Sequence, residues 1–215
     1  MRLRPSGRAG PVASHINSFA DYQEHEAWTW EHMALTRARV ISSSPVFRNR
    51  IERVIRTILT RRRDVGLIAS DVAEMRRAIA LEKGEQDLWD LKHAAGGMVD
   101  IDFIAQYLQL VHAADKPDIL SVNTRQALNN AQRLGVLALP DAEILRPAAR
   151  LYHDLTQVLR LCVSDKFKPE TAGDDLLPVM ARAGDAPDFS ALEARVRDTQ
   201  ADVRGVFLRL MEGGT

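Results

Sequence analysis

The chain has 215 residues, of which 46% are apolar and 27% charged, and its 29 basic and 29 acidic residues give a formal net charge of zero. This composition is typical of a globular protein. No apolar run reaches the length of a membrane span, the first residues lack the apolar core of a secretion signal, and a single cysteine excludes an internal disulfide and a cysteine-rich zinc site. We therefore expect a cytoplasmic protein without a membrane partner.

The basic residues are concentrated in the first third of the chain. Residues 1–63 hold 12 Lys and Arg against 5 Asp and Glu, and the rest of the chain has an acidic excess. Such a segment can face phosphate groups, or it can be a solvated helix surface. Because the arginines between residues 48 and 63 point in several directions around a helix, we expect no nucleic-acid partner.

Helical periodicity predicts an all-α fold, a helical bundle that follows a short strand or loop at residues 1–10. The pattern predicts a helix over 18–39. A second helix should start at Ser44-Pro45, and a third should open with a capping box at Asp71 and Glu74 and end before Gly84.

The second half of the sequence shows the same periodicity. We expect a helix after Gly96, one from about Asn123 to Leu134, and a longer one over 141–163 that contains Pro147 and a buried Cys162. Residues 165–190 should be a loop region with one short helix. A final helix should be capped by Ser190 with Glu193.

The stretch GGMVDIDF, residues 96–103, can be interpreted in two ways. Asp100 and Asp102 resemble the metal-binding aspartates of a nucleotidyltransferase, which need a strand to bring both carboxylates to one metal. The apolar residues that follow recur at helical spacing, and residues two apart on a helix diverge. We therefore favour a role as negative charge in a first helical turn.

A metal-dependent phosphohydrolase is a second reading of the same chain. His153-Asp154, with His112 and Asp174, supplies the required residue types. A chain with six histidines readily offers such a set, and the helical pattern around His153 favours its burial. We therefore favour a buried structural role for His153 over this metal site.

Three blocks of the sequence resemble the C-terminal, adenylylating half of glutamine synthetase adenylyltransferase. The order and spacing of the blocks agree with that family, as do NTRQAL (123–128) and the final helix, so the resemblance covers nearly the whole chain. The similarity is greater to the AMP-adding half than to the AMP-removing half or to the uridylyltransferase of the PII signalling protein. The blocks are MRLRPSGRAGP (1–11), YQEHEAWTWEHMALTRARV (22–40) and DLWDLKHAAGGMVDIDF (87–103).

The resemblance implies a nitrogen-regulating enzyme in which a polymerase-beta-like domain uses three aspartates and magnesium to transfer AMP from ATP to a tyrosine of glutamine synthetase. A helical domain follows, and PII protein and glutamine regulate the enzyme. In the family the aspartates precede the RLRPSG block, so no residue of this chain corresponds to them. We expect this chain to need that missing catalytic portion, to be inactive alone, to contain no catalytic residue and to bind neither ATP nor magnesium tightly.

The resemblance also divides the chain. Residues 1–43 would be the C-terminal remnant of the α/β nucleotidyltransferase domain, and residues 44–215 a helical regulatory or interaction domain. Arg2, Arg4 and Ser6 would contact nucleotide phosphates at the edge of the cleft, or pair structurally within the sheet edge. Structural family residues would be Trp28, Trp30, Glu31 and His32, between the two domains, and Lys92, Gly96, Gly97, Asp100 and Asp102, in the helical domain, where the family usually has glutamate at position 102.

Two functions remain open at this point. The first is the helical C-terminal region of an adenylyltransferase. The alternative is a stand-alone helical interaction module that binds glutamine synthetase or PII protein without nucleotide chemistry.

Overall fold

The computed structural model describes residues 13–173 and 175–213. These residues form α-helices and two short 3-10 helices with no strand, which confirms the predicted all-α fold. Residues 1–12 lie outside the described residues, so the α/β remnant and the boundary at residue 43 stay predictions. The helices are α1 (Ile16–His25), α2 (Thr29–Leu35), α3 (Pro45–Leu59), α4 (Val65–Lys83), α5 (Met98–His112), α6 (Thr124–Arg133), α7 (Leu139–Cys162), α8 (Leu176–Ala183) and α9 (Phe189–Glu212), with 3-10 turns at Pro117–Ile119 and Pro169–Thr171.

Backbone contacts divide the chain into two compact units. Of the described residues, the first comprises 13–73 and 105–137, and the second comprises 74–104, 138–173 and 175–213. No helix in the described ranges combines the length and apolar character that a bilayer crossing needs.

In the first unit, α1 and α2 both pack against α3. Helix α3 begins as predicted, because the Ser44 hydroxyl accepts a hydrogen bond from the Phe47 N–H at 3.4 Å and Pro45 occupies the first turn. Helix α6 also begins as predicted: the Asn123 side chain accepts from the Gln126 N–H at 3.1 Å. Its buried face, which includes Leu128, contributes to the core of this unit.

In the second unit, α7, α8 and α9 pack against one another. Leu145 and Leu155 of α7 and Leu192 and Val203 of α9 are completely buried, as the helical spacing requires. Pro147 lies within α7 without ending it.

One helix of the first unit was predicted without its break, and the start of another was predicted wrongly. The expected helix over 18–39 is broken between His25 and Thr29. Helix α4 begins at Val65, where the Asp64 carboxylate accepts from the Leu67 N–H at 2.7 Å, instead of at Asp71. Asp71 lies inside that helix and accepts a hydrogen bond from the Thr29 hydroxyl, a tertiary contact that its sequence neighbours do not reveal.

Three local predictions in the second unit were also wrong. The cap of α9 is Asp188, whose carboxylate accepts from the Ala191 N–H at 2.8 Å, and Ser190 lies in the first turn. Cys162 is exposed because it is the last residue of α7, beside the exposed Leu161. His153 is exposed because it lies on the face of α7 opposite to Leu151 and Leu155.

The cap assignment gives a testable prediction. Asp188→Ala removes the acceptor for a free N–H of α9 and should lower the free energy of unfolding by about 1 kcal/mol. Ser190→Ala, the matched change two residues later, should have an effect within about 0.5 kcal/mol. Urea unfolding followed by circular dichroism measures both, and an equal loss in the two variants would contradict the assignment.

Candidate functional site

The predicted site residues fall into three groups. Arg2, Arg4 and Ser6 lie outside the described residues, and their contact with phosphate stays a prediction. Of the other two groups, one lies in the first unit and one in the second. In the first unit, the group at the α1–α2 corner comprises Trp28, Trp30, Glu31 and His32. In the second, the group around the start of α5 comprises Lys92, Gly96, Gly97, Asp100 and Asp102.

The α1–α2 corner is held by Glu31, which is buried in the first turn of α2. Its carboxylate accepts hydrogen bonds from the Tyr22 hydroxyl at 2.9 and 3.1 Å and from the Trp28 N–H at 3.0 Å. The indole of Trp28 is 71% exposed, and Trp30 is half-buried. Glu31 therefore caps α2 and ties it to α1.

His32 completes this corner from the next position of α2. Its Nε2 lies 2.9 Å from the Gln23 carbonyl oxygen of α1, so this nitrogen must carry the hydrogen. Burial lowers the pKa of His32 and outweighs the hydrogen bond to the Gln23 carbonyl, which raises it; the basic side chains of Arg63 and Arg61 lower the pKa further. The ring is a neutral hydrogen-bond donor at neutral pH, which is a structural role.

The start of α5 contains a carboxylate that is completely buried, that of Asp100. One oxygen accepts a hydrogen bond from Nε of Arg76 on α4. The other accepts from the Gly96 N–H at 2.8 Å and from Nη1 of Arg204 on α9 at 3.2 Å. Both carboxylate oxygens are therefore engaged by cations or backbone.

Arg76 is itself only 1% exposed and distributes its guanidinium over several partners. Nη1 lies 3.3 Å from a carboxylate oxygen of Glu85. Nη2 donates to the carbonyl oxygens of His93 at 3.1 Å and Ala94 at 3.2 Å. Arg76 and Arg204 carry two positive charges and Asp100 and Glu85 two negative charges, so this partly buried cluster is electrically balanced.

Gly96 lies where only glycine fits. Its φ is +75°, and a Cβ built on it would lie 1.8 Å from the Gln200 carbonyl oxygen of α9. The Tyr152 hydroxyl of α7 donates to the Gly96 carbonyl oxygen at 3.0 Å. Burial raises the pKa of Tyr152, which keeps it a donor. At the adjacent Gly97, a Cβ would lie 2.8 Å from the Leu91 carbonyl oxygen.

Asp102 and Lys92 have different surroundings from Asp100. Asp102 is half-buried whereas Asp100 has no exposed surface, which agrees with the divergence of residues two apart on a helix. Lys92 is exposed, and its backbone carbonyl accepts from the Val99 N–H at 3.1 Å. Asp100 cannot offer a free oxygen without releasing an arginine, so Asp100 and Asp102 do not form the shared magnesium site that their Asp-x-Asp spacing alone suggests.

The phosphohydrolase reading gains no support from the structure. His153 is exposed, and Asp154 lies 3.6 Å from Nε of Arg150 in an ion pair along α7. Asp174 lies outside the described residues. Within the described ranges no three His, Cys, Asp or Glu side chains are grouped so that they could hold a metal ion.

Sequence reasoning missed the residues that surround Asp100. Arg76 could have been found, because it follows Val72 by four residues on the buried face of α4 and a buried acid requires a counter-charge. Arg204, Tyr152 and Gln200 lie more than 50 residues away in the sequence and carry no local signal.

Comparisons with known proteins match the chain in two segments. Residues 1–54 match the family model described as glutamate-ammonia ligase adenylyltransferase, and residues 69–211 match the model described as GlnD PII-uridylyltransferase. Over 213 residues the chain is 76% identical to the bifunctional glutamine synthetase adenylyltransferase/adenylyl-removing enzyme of Rhodopseudomonas palustris (strain BisB5), which is 99% of this chain. The chain belongs to the glutamine synthetase adenylyltransferase family.

Other relatives carry the same name. The enzyme of Bradyrhizobium sp. (strain ORS 278) is 77% identical over 212 residues, and that of Xanthobacter autotrophicus (strain ATCC BAA-1158 / Py2) is 53% identical over 212 residues. In each case 99% of this chain is covered. The chain spans 21–22% of the length of these curated relatives of the adenylyltransferase family.

The close approach of α9 to Gly96 predicts an asymmetry between two glycines. Gly96→Ala should lower the free energy of unfolding by about 3 kcal/mol or more, since it adds a collision with backbone to the strain of a positive φ. Gly84→Ala has a similar φ of +78° but no atom within 4 Å of the new Cβ, and should cost only about 1 kcal/mol. Denaturant unfolding of both variants checks this, and a loss for Gly84→Ala as large as that for Gly96→Ala would refute it.

Proposed function

We propose that this chain is the helical C-terminal region of an adenylyltransferase that transfers AMP from ATP to a tyrosine of glutamine synthetase in cytoplasmic nitrogen regulation. The observation that carries the proposal is the 76% identity to a glutamine synthetase adenylyltransferase over 99% of this chain. ATP and magnesium belong to the intact enzyme, of which this chain matches 22% of the length.

The chain itself does not transfer AMP. Magnesium-assisted transfer needs carboxylates that can hold the metal, and the acid of the Asp-x-Asp pair that is buried, Asp100, is committed to Arg76, Arg204 and the Gly96 N–H. By resemblance, the aspartates that hold magnesium in the family have no counterpart among these 215 residues.

The helical region serves to hold protein partners. Its residues 69–211 match a model named for an enzyme of the PII protein, and its relatives are named for an enzyme of glutamine synthetase. One helical domain thus accompanies nucleotidyl transfer to two different proteins. We assign it contact with glutamine synthetase and with PII protein.

The experiment measures transfer of labelled AMP from ATP to glutamine synthetase in the presence of magnesium. The chain alone should give no labelled product, and the full-length Rhodopseudomonas palustris enzyme is the positive control. Saturating chain added to that enzyme should lower its rate at least about twofold, because it occupies glutamine synthetase in its place.

Each result bears on one part of the proposal. Labelled product from the chain alone contradicts inactivity, and an unchanged rate of the full-length enzyme contradicts contact with glutamine synthetase. Calorimetric titration with PII protein and with glutamine synthetase then distinguishes the proposed function from the alternative, a stand-alone interaction module. Binding to PII alone, without effect on the full-length enzyme, would favour a stand-alone interaction module.

A further inference from the structure

The first unit contains a groove that the proposed function does not use. It has a volume of about 550 Å³, within the range of small-molecule sites. Its walls are the connection from α2 to α3, one face of α3, and the segment 120–122 that follows the first 3-10 helix.

The rim of this groove is strongly basic. From the part of the chain that the structure describes, four arginines and one acid line it, which gives a net charge of +3. The helical pattern predicted that the arginines between residues 48 and 63 point in several directions, but in the structure three of them line the same groove together with Arg39. They are Arg39, Arg48, Arg53 and Arg56, with Glu52 as the acid.

Three of these four arginines have no side-chain partner among the described residues. Arg48 donates to the Val40 carbonyl oxygen at 2.9 Å and lies 3.8 Å from Glu52. Arg39, Arg53 and Arg56 are exposed and make no side-chain hydrogen bond or ion pair within residues 13–173 and 175–213. Three guanidinium groups on one rim repel one another, and an anion between them would relieve that repulsion.

The floor of the groove is apolar and fixed in place. Leu59 is buried on α3, and Ile55 and Leu120 are half-buried beside it. The segment at 120–122 is anchored because the Ser121 N–H donates at 2.7 Å to the side-chain oxygen of the buried Gln109. The groove is therefore formed before any ligand enters.

We propose that this groove binds a small organic phosphate, with the phosphate on the arginine rim and an apolar body on the floor. A guanidinium group can donate two parallel hydrogen bonds to two oxygens of a phosphate. A doubly negative phosphate also neutralises more of the rim's net charge of +3 than a singly charged group would. The apolar floor favours a ligand with an apolar group attached to the phosphate, which inorganic phosphate lacks. The inference goes beyond the proposed function and does not depend on it.

The test is calorimetric titration of the whole chain with phenyl phosphate and, separately, with inorganic phosphate. Phenyl phosphate should bind at least about tenfold more tightly, because only its ring can cover the apolar floor. Arg53→Gln with Arg56→Gln should weaken phenyl phosphate binding at least about tenfold through the loss of two charge-assisted contacts.

Two further variants give matched controls. Arg50→Gln removes an exposed arginine of the same helix that bonds to the Asn17 side chain instead of lining the groove, and should change the affinity less than about twofold. Glu52→Gln removes the one carboxylate that described residues contribute to the rim and should tighten binding about threefold, a gain that a folding defect cannot produce.

Four results would overturn the site: no binding of phenyl phosphate at millimolar concentration, equal affinity for inorganic phosphate, an unchanged affinity in the double arginine variant, or the same loss in Arg50→Gln. A weakened affinity in Glu52→Gln would contradict the charge argument on which the site rests.

Discussion

A pair of opposite charges, Arg76 and Asp100, is buried in the second unit where water reaches neither side chain. Removing two charges from water costs several kcal/mol each, and hydrogen bonds to both oxygens of Asp100 and to Nε and Nη2 of Arg76 compensate for this cost, whereas Nη1 of Arg76 lies 3.3 Å from Glu85 without a hydrogen bond. Asp100 accepts from two arginines and a glycine amide, and Arg76 reaches an acid and two carbonyl oxygens. The loop that joins α4 to α5 is organised around this pair.

The pair also explains the role of the glycine-aspartate block, GGMVDIDF at residues 96–103. Asp100 holds the Gly96 N–H, Tyr152 holds the Gly96 carbonyl, and Gln200 of α9 donates to the Leu88 carbonyl of the same loop at 2.9 Å. One short segment thus connects α4, α5, α7 and α9. The sequence of this block is similar to a metal-binding motif, but in the structure its residues connect helices instead of binding a metal.

The predictable parts of the fold were those that local chemistry determines. Ser44 with Pro45, Gly84 and Asn123 mark helix ends through bonds or torsions within a few residues, and each was located correctly from the sequence. Asp71 has the spacing of a cap but bonds across the fold to Thr29. Arg204 joins Asp100 over 104 residues of sequence, and no pattern in one sequence encodes such a pairing.

The central claim is that the charge of Asp100 holds the second unit together, and a double-mutant cycle in urea tests it directly. Asp100→Asn should lower the free energy of unfolding by about 3–5 kcal/mol, since it leaves Arg76 buried without its counter-charge. Combining it with Arg76→Met should cost at least about 1 kcal/mol less than the sum of the single changes. If Asp100→Asn costs no more than Asp102→Asn, or if the two losses simply add, the account is wrong.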